Sequence, residues 1–151
     1  MSVSVQREDF DPGAELAALT AGRSDVGGVC LFVGLVRDSA SDADVTAMTL
    51  EHYPGMTERM LEKIEAEACR RWPLQGCRIV HRYGRLEAGE RIVLVATASP
   101  HRAAAFESSR FLIDWLKTRA PFWKVEHGRD GEDRWVEAKA EDDAVAAQWE
   151  R

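Results

Sequence analysis

Two lysines, Lys117 and Lys124, stand seven residues apart in the stretch LKTRAPFWKVE, with Arg119 between them and Phe122 and Trp123 beside the second. Pro121 lies between them, and the residue before a proline avoids helical angles, so the backbone turns here. Alternation along a strand places Lys124 on the face opposite Trp123 and Val125. A lysine flanked by apolar surface loses hydration, and its pKa falls toward the range where an amine acts as acid, base or nucleophile. Three other basic groups accompany the pair: Arg37 at a strand end, His81-Arg82 within a strand, and His101-Arg102 just after VLVATAS and Pro100. The last pair opens a helix, whose free N–H groups and partial positive charge receive phosphate or carboxylate. Arg and His add charge-assisted donors there. Taken singly, each group also has a plainer reading as a solvated strand end, a surface helix start or a surface lysine.

Other chemistries lack their signatures. The chain has no GxSxG, P-loop, GxGxxG or HExxH, and His52 and His81 have no metal-ligand spacing. Cys30 lies in an apolar strand and reads as inert core. An enzyme built from this set supplies cations and proton transfer itself, and any sulfur nucleophile comes from elsewhere. No metal or cofactor is expected.

The 151 residues are 45% hydrophobic and 30% charged, enough for a real core in one domain spanning 1–151. The net charge of −6 argues against general nucleic-acid binding, which needs a basic face. Residues 101–124 nevertheless hold five Lys/Arg against two acids, a basic patch suited to a small anion or an acidic partner. Three cysteines without a CxxC spacing fit a reducing compartment. The stretch MSVSVQREDF does not read as a signal peptide, and no apolar run reaches the ~18 residues needed to span a bilayer. The expected location is cytoplasmic, with neither membrane nor nucleic acid as partner.

The elements that position these groups follow from pattern. SVSVQ reads as a strand, and DPGAELAALT as a helix capped by Asp11 with Pro12 at its first position. GGVCLFVGLVR (27–37) and VTAMTLEHY (45–53) read as strands, Gly34 marking a bulge or close backbone approach. The loop 38–44 is polar. Pro54 opens a helix to about Trp72, with Met56, Met60, Leu61, Ile64, Ala68 and Trp72 on one face as core. CRIVHRYGRL and RIVLVATAS are strands joined by EAGE. A second long helix runs from Pro100 to about Thr118, with Phe106, Ile113 and Leu116 on its buried face. FWKVEH and DRWVEAK form a hairpin across GRDGE, and DDAVAAQW is a final short helix. The order β-α-β-β-α-β-β-α-β-β-α predicts an α+β, or mixed α/β, domain.

The ordered set FVGLVRD, LEHYPGM, HRYGRLEAGE, SPHRAAAF, LKTRAPFWKVE and DRWVEA, from about Gly27 to Ala138, resembles the large, catalytic subunit of molybdopterin synthase. The resemblance implies an α/β hammerhead-like core with an added antiparallel β subdomain. It implies a sulfurtransferase of molybdenum cofactor biosynthesis that converts cyclic pyranopterin monophosphate (precursor Z) into molybdopterin. The sulfur donor it implies is the thiocarboxylate on the C-terminal Gly-Gly tail of a small ubiquitin-like subunit. The assembly it implies is a homodimer of large subunits within a heterotetramer. By the same resemblance Lys117 and Lys124 are catalytic, and Leu35, Val36, Arg37, His101, Arg102, Lys117, Lys124, Val125 and Glu126 bind substrate. Family members often carry a basic residue where this chain has Leu35 and Val125. Either lysine is then available to attract the thiocarboxylate, to protonate leaving oxygens or to link transiently to the acyl tail.

Two other readings stand beside this one. A non-catalytic adaptor would bind a ubiquitin-like tail without turnover, and a phosphate-ligand binding domain would need no partner protein.

Overall fold

A computed structural model describes residues 2–38, 45–128, 131–136 and 147–149. The elements run β1 (Val3–Gln6), α1 (Pro12–Thr20), β2 (Gly28–Leu35), β3 (Val45–His52), α2 (Met56–Arg71), β4 (Gly76–Arg82), β5 (Gly84–Glu87), β6 (Arg91–Ser99), α3 (Arg102–Thr118), β7 (Phe122–Gly128) and β8 (Asp133–Val136). The mixed α+β class is as expected. The strands form two four-stranded sheets, ordered β1-β4-β6-β2 and β5-β3-β7-β8. Only β1 and β4 run parallel among the paired strands.

One face of the first sheet, carrying Val3, Ile79 and Val95, packs on Leu61, Ile64 and Ala68 of α2 and on Phe111 and Leu112 of α3. The opposite face, with Val80, Leu94 and Ala96, is closed by Phe10. The second sheet has its own cluster, in which Val36, Met48, Leu50 and Leu86 are buried together. Helix α1 starts as its sequence dictates: the Asp11 carboxylate accepts from the Gly13 and Ala14 amides at 2.9 and 3.3 Å, satisfying two of the first-turn donors.

Three expectations need correction. The run CRIVHRYGRL is two strands, because the chain passes from the first sheet to the second between Arg82 and Gly84. Gly84 makes that passage at φ +90°, a region open to glycine. Met56 is 38% exposed rather than core, and the buried residue beside it is Thr57. The buried face of α3 is Ala104, Ala105, Ser108, Ser109, Phe111 and Leu112, with Ile113 and Leu116 packed beside it as expected, while Phe106 is 64% exposed. Small residues let α3 lie close on the first sheet: the Ser109 hydroxyl donates to the Cys30 carbonyl at 3.4 Å and Thr97 to the Ala105 carbonyl at 2.8 Å. The final helix DDAVAAQW lies mostly outside the described residues, as does the loop beyond Asp38.

Both readings of Gly34 hold. The β2–β6 register shifts between Gly34 and Leu35, and a Cβ at Gly34 would stand 2.8 Å from Val93 Cγ1. Gly27 is tighter still. A Cβ there would lie 1.9 Å from the Pro100 carbonyl oxygen, a backbone atom that cannot swing aside. Gly27→Ala is therefore expected to destabilise the fold by more than about 3 kcal/mol, read as a lowered urea midpoint at unchanged slope.

Candidate active site

Strand β7 carries Lys124 exactly between two apolar clusters only if its parity is right, and the register shows that it is: Lys124 pairs with Leu50, Glu126 with Met48 and Phe122 with His52. Met48 and Leu50 are buried in the cluster of the second sheet. Phe122 packs against the helix-covered core of the first. Phe122, Lys124 and Glu126 thus share the inner face, and Trp123, Val125 and His127 the outer one. Lys124 lies opposite Trp123 and Val125, as the alternation in the sequence implied, and is half-buried.

Glu126 is 6% exposed, and its Oε2 has no hydrogen-bond partner. A buried carboxylate oxygen left unpaired is costly, so the position suits a ligand that brings an N–H or O–H donor.

Arg37 reaches the same region by a different route. The Val36 amide donates to the Glu90 carbonyl at 3.0 Å, and the Gly89 amide donates to the Val36 carbonyl at 2.7 Å. Val36 is itself buried against Met48, Leu50 and Leu86. The next residue, Arg37, is exposed at the rim of that cluster. Leu35, just before it, is 52% exposed.

Lys117 lies in the last turn of α3, where a cation complements the negative end of the helix dipole. It is exposed. The turn beyond it is pinned by Thr57, which sequence reasoning passed over: this fully buried hydroxyl on α2 donates to the Pro121 carbonyl at 3.3 Å and accepts from the Tyr53 amide at 3.0 Å. A cavity of about 240 Å³ between α2 and α3 is lined by Phe111, Trp115, Arg119 and Trp149, among others. At 100° per residue Lys117 leaves α3 on the side away from Trp115 and Arg119, so this cavity is not the lysine site.

The structure does not bring His101 and Arg102 to this place. They begin α3, and Lys117 ends it; fifteen residues at 1.5 Å hold the two ends about 22 Å apart. A second ruler agrees. A Cβ on Gly28 would meet the Arg102 Cα at 3.9 Å, whereas Arg37 follows the far end of β2, seven residues or about 23 Å along the strand. The start of α3 has no side-chain cap and no acid in its first turn, so His101 and Arg102 stand beside uncapped amides.

His81 and Arg82 turn out to be interior groups. Arg82 donates to the carbonyls of Arg7 and Arg91 at 3.0 and 2.9 Å and to Glu90 at 3.3 Å. His81 is buried, and burial, followed by the nearby charges of Lys124 and His52, pushes its pKa down from 6.5 to about 4, against an opposing hydrogen bond to the Arg82 carbonyl. Between pH 6.5 and 4 the unfolded chain therefore binds a proton at this residue that the folded chain refuses. Stability is expected to fall by about 3 kcal/mol as pH drops through that window and to lose nothing more from His81 below it. Urea midpoints of wild type and His81→Phe across pH 4–7 check this, since the variant lacks that slope.

Another group with catalytic appearance lies on the outer face. Thr49 Oγ1 is 2.6 Å from His127 Nε2, and His127 Nδ1 is 2.7 Å from Asp133. The three residues come from β3, β7 and β8, and the chain of contacts ties those strands together.

Comparison with known proteins shows the family. Residues 5–119 match the family model described as MoaE protein. The molybdopterin synthase catalytic subunit of Mesorhizobium japonicum is 56% identical over 149 residues, covering 98% of this chain and 92% of that one. That of Pseudomonas aeruginosa is 55% identical, covering 99% of each. Among solved structures, the molybdopterin biosynthesis MoaE protein from Burkholderia ambifaria superposes with a TM-score of 0.82 at 53% identity, covering 98% of this chain and 97% of that one. Matched by that family model over residues 5–119 and by relatives over nearly their whole length, the chain belongs to the MoaE family of molybdopterin synthase catalytic subunits.

Proposed function

We propose that the chain carries out sulfur transfer from the C-terminal thiocarboxylate of a small ubiquitin-like subunit to cyclic pyranopterin monophosphate, giving molybdopterin. The observation that carries this reading is the inner face of β7, where half-buried Lys124 stands next to buried Glu126, whose Oε2 is unpaired, with Lys117 and Arg37 both far from the start of α3. A thiocarboxylate is an anion and a sulfur nucleophile, so a cationic amine draws it in and the chain needs no thiol of its own. Cys30, Cys69 and Cys77 are unpaired, in keeping with action in the cytoplasm. Among the described residues no helix is long and apolar enough to cross a membrane.

Each residue has a role fitted to its surroundings. Lys117 and Lys124 pair with the incoming thiocarboxylate and supply protons to the oxygens that leave as carbon–sulfur bonds form. Glu126 accepts from the donor edge of the pterin. Arg37 pairs with substrate anionic groups. A dithiolene has two sulfurs and each tail brings one, so one product consumes two tails. His101 and Arg102 hold the cyclic phosphate at the uncapped start of α3, but about 22 Å separates them from Lys117 in the same chain. The site is therefore completed by a second copy: the His101-Arg102 pair of one protomer faces the lysines of the other, and the homodimer is the working unit.

The deciding experiment is single turnover with purified chain, cyclic pyranopterin monophosphate and thiocarboxylated small subunit, following dithiolene formation. Product supports the reading. Tight binding of the small subunit without product would make the chain an adaptor.

A further inference from the structure

The His81 ring lies face to face on Phe122, with centroids 3.8 Å apart and planes 16° from parallel. His81 belongs to β4 in the first sheet and Phe122 to β7 in the second, so this stack crosses between sheets. Phe122 also meets His52 of β3 at 6.2 Å and 29°, and the His52 ring lies 4.3 Å from that of Tyr83. Phe122 thus contacts a ring from each sheet. Lys124 leaves the same strand face two residues later.

The His81 ring is itself fixed. Its Nδ1 is 2.8 Å from the Arg82 carbonyl, which only accepts, so Nδ1 carries the hydrogen. The Arg82 side chain anchors that backbone through Arg7, Arg91 and Glu90. The ladder with β3 sets where β7 lies sideways, but it leaves free the angle at which β7 tilts over the first sheet. The Thr57 hydrogen bond holds the turn at Pro121, and the stack on His81 is the ring contact to the first sheet that can set that angle. A charged ring in the same place would oppose the nearby ammonium of Lys124, and burial keeps the ring neutral.

We propose that His81 is a positioning residue for sulfur transfer: its ring, stacked on Phe122, sets the angle at which β7 presents Lys124 between the two sheets. The proposal rests on the reading of Lys124 as a reacting amine. Two variants separate a stacked ring from mere filling of space. His81→Phe keeps a ring, and His81→Leu keeps apolar volume without one. Two readouts are needed, single-turnover sulfur transfer and the rate at which acetic anhydride acylates Lys124, followed on its peptide by mass spectrometry.

His81→Leu is expected to slow turnover by about tenfold to a hundredfold with unchanged Kd for small subunit and substrate, the cost of misplacing a reacting group by an ångström or less. Its Lys124 acylation rate is expected to change by at least about threefold, while His81→Phe stays within about threefold of wild type in both readouts. The proposal is overturned if folded His81→Leu matches wild type in both, or if folded His81→Phe is as impaired as His81→Leu. Should wild type itself give no turnover, the function reading fails, and acylation alone decides the positioning role. A rate altered in His81→Leu and restored in His81→Phe retains it, and an unaltered rate removes it.

Discussion

Alanine at Lys124 is expected to lower the single-turnover rate by about 10²- to 10⁴-fold, the range set by losing a positioned proton donor and a preorganised cation. The side chain starts opposite Leu50, at the junction of two apolar clusters, where water competes poorly for the incoming anion. Alanine removes the charge and leaves β7 hydrogen-bonded to both neighbours, so circular dichroism and the urea midpoint should change little. Lys117→Ala is expected to be similarly slow but for a different reason. Lys117 is exposed on the last turn of α3, so its contribution depends on the partner tail covering it, and its loss should also weaken binding of that tail. Full activity in either variant would remove that lysine from the chemistry.

The second large effect is a rescue. Lys117→Ala and Arg102→Ala chains should each be nearly inactive as homodimers, yet active when the two are unfolded together and refolded as a mixture. In a heterodimer of the two, one site collects both substitutions and the other collects neither. Random pairing makes half the dimers mixed, so about a quarter of wild-type activity should return. The basis is the length of α3, which keeps Arg102 about 22 Å from Lys117 within one chain. If both residues served the same site from the same chain, no pairing of the two variants would contain an intact site, and the mixture would stay inactive.

Much of this was written in the sequence, and the failures have identifiable causes. The Asp11-Pro12 cap acts through neighbours two and three residues away, so it is visible locally. The parity of β7 is likewise local, and it gave the facing of Lys124 correctly. On α3 apolar size alone is an incomplete signal: Ile113 and Leu116 pack on the core as expected, but Phe106 does not. Ala104, Ala105, Ser108 and Ser109 are buried for their smallness, and Phe106 is left in solvent. The passage from β4 to β5 was missed because HRYGRL keeps strand-like character throughout, while the change of sheet depends on which partners each half finds. Motif order also gave no distances. His101-Arg102 and Lys117 look like members of one pocket until the helix between them is given its length. Thr57, in turn, reads as an ordinary first-turn threonine until Pro121 is found beside it.

The alternation of β7 makes one short strand two separately editable surfaces. Trp123 lies against Tyr53 on the outer side, with their centroids 4.7 Å apart, while Phe122, Lys124 and Glu126 face inward. Engineering of the outer side, to alter solubility or attach a label, can leave the inner chemistry alone. Insertion of a single residue between Pro121 and Lys124 is another matter, because it exchanges the two surfaces throughout the strand. It would send the lysine to the outer face and a tryptophan or valine inward with every original residue retained. Two inserted residues preserve the facing and move the amine by about 7 Å along the strand. Length variation in this segment is therefore governed by odd and even before it is governed by chemistry.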